Sequence, residues 1–146
     1  SLIKKLREKT GAGVADVREA LEEAKDDFKF ADQLLRERGF EKAAKKGGRE
    51  TKAGLIESYV HQGRVGALVE VLCETDFVAR TDEFKTLAHE IAMQIASMSP
   101  KDGSDLLKQE YIRDPSKTIA DLIKETIAIL GENISVGRLS RFELRK

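Results

Sequence analysis

Residues 55–73, LIESYVHQGRVGALVEVLC, mark the point where the apolar pattern of the chain changes from helical to extended. Leu55 to His61 is rich in β-forming residues, Gln62-Gly63-Arg64 supplies a short glycine-containing turn, and Val65, Ala67, Val69, Val71 and Cys73 alternate along one face. Two such runs joined so closely predict an antiparallel hairpin. The rest of the chain is organised around this hairpin.

On its C-terminal side, Phe84, Leu87, Ala88, Ile91, Ile95 and Met98 fall on one helical stripe. Thr81 is placed to cap that helix, Asp82 and Glu83 suit its first turn, and Pro100 lies beyond its end. A short helix is expected near 104–110 and a turn at Asp114-Pro115. Thr118 and Asp121 have capping-box spacing ahead of a helix that stops at Gly131. The tail, Ile134 to Leu144, reads as a further strand with Ile134, Val136, Phe142 and Leu144 in one phase and Gly137 as a candidate bulge. The expected class is α+β, with a small antiparallel sheet of about three strands packed on one face by helices.

On its N-terminal side, residues 1–40 read as a three-helix bundle. Leu2, Ile3 and Leu6 edge the first helix, Thr10-Gly11-Ala12-Gly13 breaks it, and Val14, Val17, Leu21 and Ala24 give the second. Asp26-Asp27 provides turn and cap for a third helix that carries Ala31, Leu34 and Leu35 and is expected to stop near Gly39. Residues 41–53 form a basic linker or helix, and 54–146 the α+β core. About 40 residues bury only a marginal core, so the bundle is expected to lean on a neighbour or offer it a face.

Composition narrows the function. The 146 residues include 36% charged and 40% hydrophobic ones, as in a folded globular protein. No apolar run approaches the roughly 20 residues of a membrane span, and SLIKKLREK lacks a signal peptide's apolar block, which reads as a cytoplasmic or organellar-matrix protein. With 26 basic and 26 acidic residues the net charge is zero, and no nucleic-acid partner is expected. The basic cluster Lys42, Lys45, Lys46, Arg49 and Lys52 suits a solvated surface, and KKGGRETK lacks the glycine and lysine spacing of a phosphate-binding loop. The only cysteine, Cys73, lies in phase with a buried strand face, and His61 and His89 have no short-range ligand spacing with it. Nothing assembles a nucleophile, a base and an orienting group, so an enzyme, a metal site and a cofactor are all not expected.

The segment CETDFVAR, residues 73–80, puts an aromatic ring into an expected loop between charges. Two readings of Phe77 stand. The ring folds back to seal the end of the core, or it is an interface anchor presented by a rigid strand and helix.

Two stretches carry a family resemblance. LREKTGAGVADVREAL, residues 6–21, resembles the N-terminal signature of the translation elongation factor Ts family, and VEVLCETDFVAR, 69–80, resembles its core signature. LGENISVGRLSRFEL, 130–144, is similar to the family's closing segment, so the likeness runs from Leu2 to Leu144. It implies a guanine-nucleotide exchange factor for elongation factor Tu. A ubiquitin-associated-like bundle would dock on the GTPase domain of Tu through Gly11, Gly13, Val14 and Ala15. The exchange loop, Thr75, Asp76, Phe77, Val78, Ala79 and Arg80, would press its Asp and Phe on helices behind the nucleotide site. Magnesium and nucleotide would belong to Tu. The competing reading is a passive adaptor or scaffold that binds a partner without altering exchange.

Departures from the family pattern matter too. Val14-Ala15 stands where some relatives have paired methionines, which shortens the reach of that contact. The chain has one core half where long relatives have two, and short relatives complete the core by dimerising, so a homodimer is expected. The stretch between Met98 and Leu106 is shorter than in those relatives, and Ser140 stands where some carry a subunit-bridging cysteine.

Overall fold

A computed structural model of the chain describes residues 1–145, with the hairpin at its centre. β1 (Ala53–His61) and β2 (Val65–Cys73) pair antiparallel, from Ala53 opposite Cys73 to His61 opposite Val65. β5 (Ser135–Glu143) joins the other edge of β2, giving the order β1-β2-β5. Ala67, Val69, Val71 and Cys73 all face inward and are buried. They pack on α5 (Asp82–Met98), whose Phe84, Leu87, Ala88, Ile91 and Ile95 are also buried, and on Ile119, Ile123 and Ile127 of α7 (Ile119–Leu130). The class is the expected α+β.

Local signals set the helix ends. The Thr81 hydroxyl accepts from Phe84 N at 3.2 Å to start α5, and left-handed Ser99 (φ 50°) ends it ahead of Pro100. Met98 does not complete the buried stripe and is exposed. Thr118 and Asp121 form the reciprocal capping box, and Gly131 closes α7 with φ 78°.

Asp114-Pro115 behaves differently from expectation. It is the start of a strand, β4 (Asp114–Thr118), paired with β3 (Glu110–Tyr111) in a separate two-stranded ribbon next to α6 (Gly103–Lys108). Proline lacks an N–H for the ladder and is tolerated on such an edge, near the start of a strand, where none is required of it. The ribbon is fastened to α5 by polar side chains. Fully buried Gln94 donates to Glu110 O at 3.0 Å and accepts from Ile112 N at 3.0 Å. Glu90 accepts from the Tyr111 hydroxyl and pairs with Arg113 at 2.6 Å. Burial, reinforced by the bond to Glu90, pushes the Tyr111 phenol well up from its usual range.

Two further corrections have packing causes. Val71 faces Val136 while Val69 faces Leu139, so β5 uses three residues against two of β2. The extra residue reverses the alternation, and Phe142 therefore points to the open face of the sheet, 78% exposed, out of phase with Val136. Glu70 holds this bulge by accepting from Arg138 N at 2.7 Å and from its guanidinium at 2.9 Å. Those bonds hold the Glu70 carboxyl down at about 2. A Cβ at Gly137 would lie 2.8 Å from the Glu70 carboxylate, so a side chain there would crowd the group that holds the bulge.

The third helix also continues past its expected end. α1 (Leu2–Thr10), α2 (Val14–Glu23) and α3 (Phe28–Lys46) form the bundle around Leu6, Val17, Ala20, Leu21, Ala31 and Leu35. α3 runs through Gly39, the expected stop and the neighbour of the expected bundle limit at residue 40. A Cβ at Gly39 would meet the Ala128 side chain at 3.2 Å. The glycine is thus a point of close approach to α7 rather than a helix cap, and Ala43, a turn further on, enters the main core. Lys146, the last residue of the expected core region, lies outside the described residues.

Candidate partner-binding surface

Beyond β2 the chain does not form the expected loop. Thr75 caps a one-turn helix, α4 (Asp76–Ala79), by accepting from Val78 N at 3.3 Å. Val78 and Ala79 are buried against the core and close its end. Phe77, on the opposite side of the turn, is 81% exposed and takes no part in the core, with Asp76 and Arg80 also exposed beside it. The Thr81 hydroxyl donates to Val78 O at 2.8 Å, which joins the end of α4 to the start of α5.

The base of α4 is held from a distant segment. The Glu132 carboxylate accepts from Glu74 N at 3.2 Å, from Thr75 N at 3.0 Å and from the Thr75 hydroxyl at 2.8 Å. In return the Glu74 carboxylate accepts from Asn133 N at 2.6 Å. Asn133 is buried, and its amide donates to Arg49 O at 2.7 Å and Gly47 O at 3.4 Å, just after α3. The GEN turn after α7 therefore fastens β2, α4 and the end of α3 together.

The N-terminal candidates lie on a second loop against the same helix. Gly11 closes α1 in the left-handed region (φ 72°), where a Cβ would be 2.8 Å from Ile129 of α7. Gly13 begins α2 in extended conformation with open space around it, and Val14 and Ala15 are exposed. Thr10 fixes the loop by donating to Leu6 O at 2.6 Å and accepting from Ala12 N at 3.2 Å. Ile129 touches one candidate loop and Glu132 bonds the other.

The cysteine and the hairpin-end histidine weighed for catalysis stay apart. Cys73 is opposite Ala53 and His61 is opposite Val65, at the two ends of the hairpin, about 26 Å apart by strand rise. The Cys73 thiol donates to Thr75 O at 3.2 Å, and burial, aided by the nearby Glu132 charge, pushes its pKa up. Both His61 and His89 lie against Tyr59. Among the described residues no group of three or more His, Cys, Asp or Glu is placed to hold a metal, and no helix is long and apolar enough to cross a membrane. The basic cluster is largely engaged within the chain. Lys42 meets Asp16, Lys46 donates to Gly131 O, Arg49 lies 3.7 Å from Glu74, and Lys52 pairs with Glu50.

Sequence reasoning missed two features. Glu132 and Asn133 carry no pattern that predicts a reach back across the fold. The open sheet face, where Ile56, Val60, Leu68 and Phe142 are exposed, did leave a signal. In VGALVEVLC the residues between the inward-facing ones are Gly66, Leu68, Glu70 and Leu72, so β2 carries two leucines on the face a half-exposed strand would make polar.

Comparison with known proteins shows the family. The Elongation factor TS family profile matches residues 74–146. The elongation factor Ts of Thermoanaerobacter sp. (strain X514) is 44% identical over 187 aligned residues, covering 97% of this chain and 92% of that protein. That of Coprothermobacter proteolyticus is 44% identical over 190, covering 99% and 96%, and that of Thermotoga maritima 43% over 187, covering 98% and 94%. These alignments exceed the 146 residues of this chain, so the relatives carry internal residues that it lacks. On matches of this identity and extent the chain belongs to the elongation factor Ts family and has a role in translation elongation.

Proposed function

We propose that this chain is a guanine-nucleotide exchange factor for elongation factor Tu, acting in the cytoplasm without covalent catalysis of its own. The observation that carries the reading is Phe77. A large apolar ring is held out in water at the tip of a capped turn whose neighbours, Val78 and Ala79, are anchored in the core. An aromatic ring presented on a fixed support is the form that an interface anchor takes where a partner receives it.

The proposed action is a linkage effect. A factor that binds nucleotide-free Tu better than loaded Tu weakens nucleotide binding by the same factor. Burying one phenylalanine is worth roughly 1.5–3 kcal/mol, or about a tenfold to hundredfold shift if the ring is received only in the exchange-competent state. Asp76, at the start of the same turn, presents a carboxylate to the same surface, and Val14 and Ala15 provide the docking contact of the bundle. Magnesium and nucleotide stay with Tu. The test is release of fluorescent GDP from Tu, which this protein should accelerate. Binding to Tu with an unchanged release rate would favour the adaptor reading.

A second copy of the chain is the proposed partner for the open sheet face. Ile56, Val60, Leu68 and Phe142 place four exposed apolar side chains on one side of three strands. Set against its own copy about a two-fold axis, such a patch would bury the same apolar side chains on both subunits. Sedimentation equilibrium should give twice the chain mass, and Leu68→Lys should shift it to the monomer mass by burying an unpaired charge. A monomeric wild-type protein at all concentrations would exclude the dimer.

A further inference from the structure

We propose that Glu132 is a positioning residue for the exchange loop. Its carboxylate fixes the direction in which Phe77 is presented without itself meeting the partner. The proposal rests on the exchange reading above.

The argument starts from the shortness of α4. A single turn of four residues cannot hold itself, because nucleating a helix costs more than its few hydrogen bonds return. The direction of α4 must be imposed at its ends. At the C-terminal end the Thr81 hydroxyl and the buried pair Val78 and Ala79 do this. At the N-terminal end the ring of Phe77 has almost no packing of its own, so the backbone at Glu74 and Thr75 decides where it points.

The two N–H groups of that backbone are held by Glu132, while Thr75 O accepts from the Cys73 thiol and from Ala79 N, each at 3.2 Å. Three donors converge on one carboxylate: Glu74 N, Thr75 N and the Thr75 hydroxyl. The hydroxyl donates to Glu132 while accepting from Val78 N, so the acid also orients the cap of α4. Bonds to a charged acceptor are stronger than neutral ones and better defined in direction. Glu132 is itself fixed. Gly131 before it accepts from Lys46 through its carbonyl at 3.0 Å, and buried Asn133 after it bonds Glu74, Gly47 and Arg49. Gly11, beside the docking loop, lies against Ile129 three residues earlier. One short segment at the end of α7 thus sets both proposed contact loops relative to each other. A wedge held in its bound direction avoids the ordering cost that a mobile one must meet on binding.

The experiment has one arm without Tu and one with it. In the free protein, backbone order parameters from ¹⁵N relaxation should be near 0.85 at Asp76 and Phe77, and Glu132→Ala should lower them below about 0.6 while Val69 and Val71 stay rigid. Unchanged order at Phe77 in the variant, or a wild-type loop already mobile, would overturn the proposal whatever Tu does. With Tu, Glu132→Ala should slow GDP release at saturation roughly tenfold, the effect of one charge-assisted hydrogen bond. Glu132→Gln should fall between, because its amide oxygen can still accept the two backbone N–H groups. In a Phe77→Ala background, Glu132→Ala should change little further, since there is no ring left to aim. An equal effect in both backgrounds would mean a merely structural role and would overturn the proposal. If wild-type protein does not accelerate release yet order is lost in the variant, the clamp stands and the exchange reading falls.

Discussion

Replacing Phe77 with alanine is expected to slow GDP release from Tu by roughly ten- to a hundredfold, while stability changes by no more than about 0.5 kcal/mol. The two halves of this expectation come from the same number. At 81% exposed the ring is in water in the free protein, so its removal opens no cavity. If it is received by Tu, its burial is gained only in the complex, and the loss falls on exchange. Measured together, thermal unfolding and release kinetics separate this from the sealing role. A variant that unfolds early would show that the ring packs on its own protein in solution.

Seven residues further on, Phe84→Ala should do the opposite. Phe84 is 0% exposed on the first turn of α5 and is among the largest fully buried side chains. Its removal leaves a cavity between the sheet and the helices, with an expected cost of about 3–5 kcal/mol and a fall in melting temperature of roughly 10 °C. At a temperature where the variant is still folded, its effect on release should be small, because the α4 turn keeps its cap on Thr75 and its anchors Val78 and Ala79. Urea denaturation of both variants checks the pair. Equal stability of Phe84→Ala and wild type would contradict the packing described here.

How much of this was legible depended on how local the cause was. The hairpin, the caps at Thr81 and Thr118 and the stop at Gly131 depend on residues within a few positions of one another, and all were readable. Gly39 was misread because its reason is Ala128, on another helix. The face of Phe142 was misread because one extra residue at Gly137 reverses every later side chain, although the bulge itself was anticipated. The β3–β4 ribbon depends on Gln94 and Glu90 reaching across from α5, and no pattern within 110–118 announces that.

The contact loops divide in the same way. Asp76 and Phe77 stood out because an aromatic ring between charges is unusual where a loop is expected, and residues 69–80 resemble a family signature. That the segment is a capped turn, and that Val78 and Ala79 take over the sealing, required the fold. Glu132 is 57 positions from Thr75, and a single sequence holds no sign of such a bond.

The most direct measurement is stopped-flow release of fluorescent GDP from Tu, chased with excess unlabelled GDP, across a range of concentrations of this protein. The account predicts a release rate that rises with concentration to a plateau well above the spontaneous rate, with the plateau lowered by Phe77→Ala. A rate that stays at the spontaneous value at every concentration, while complex formation with Tu is seen by sedimentation, would contradict it.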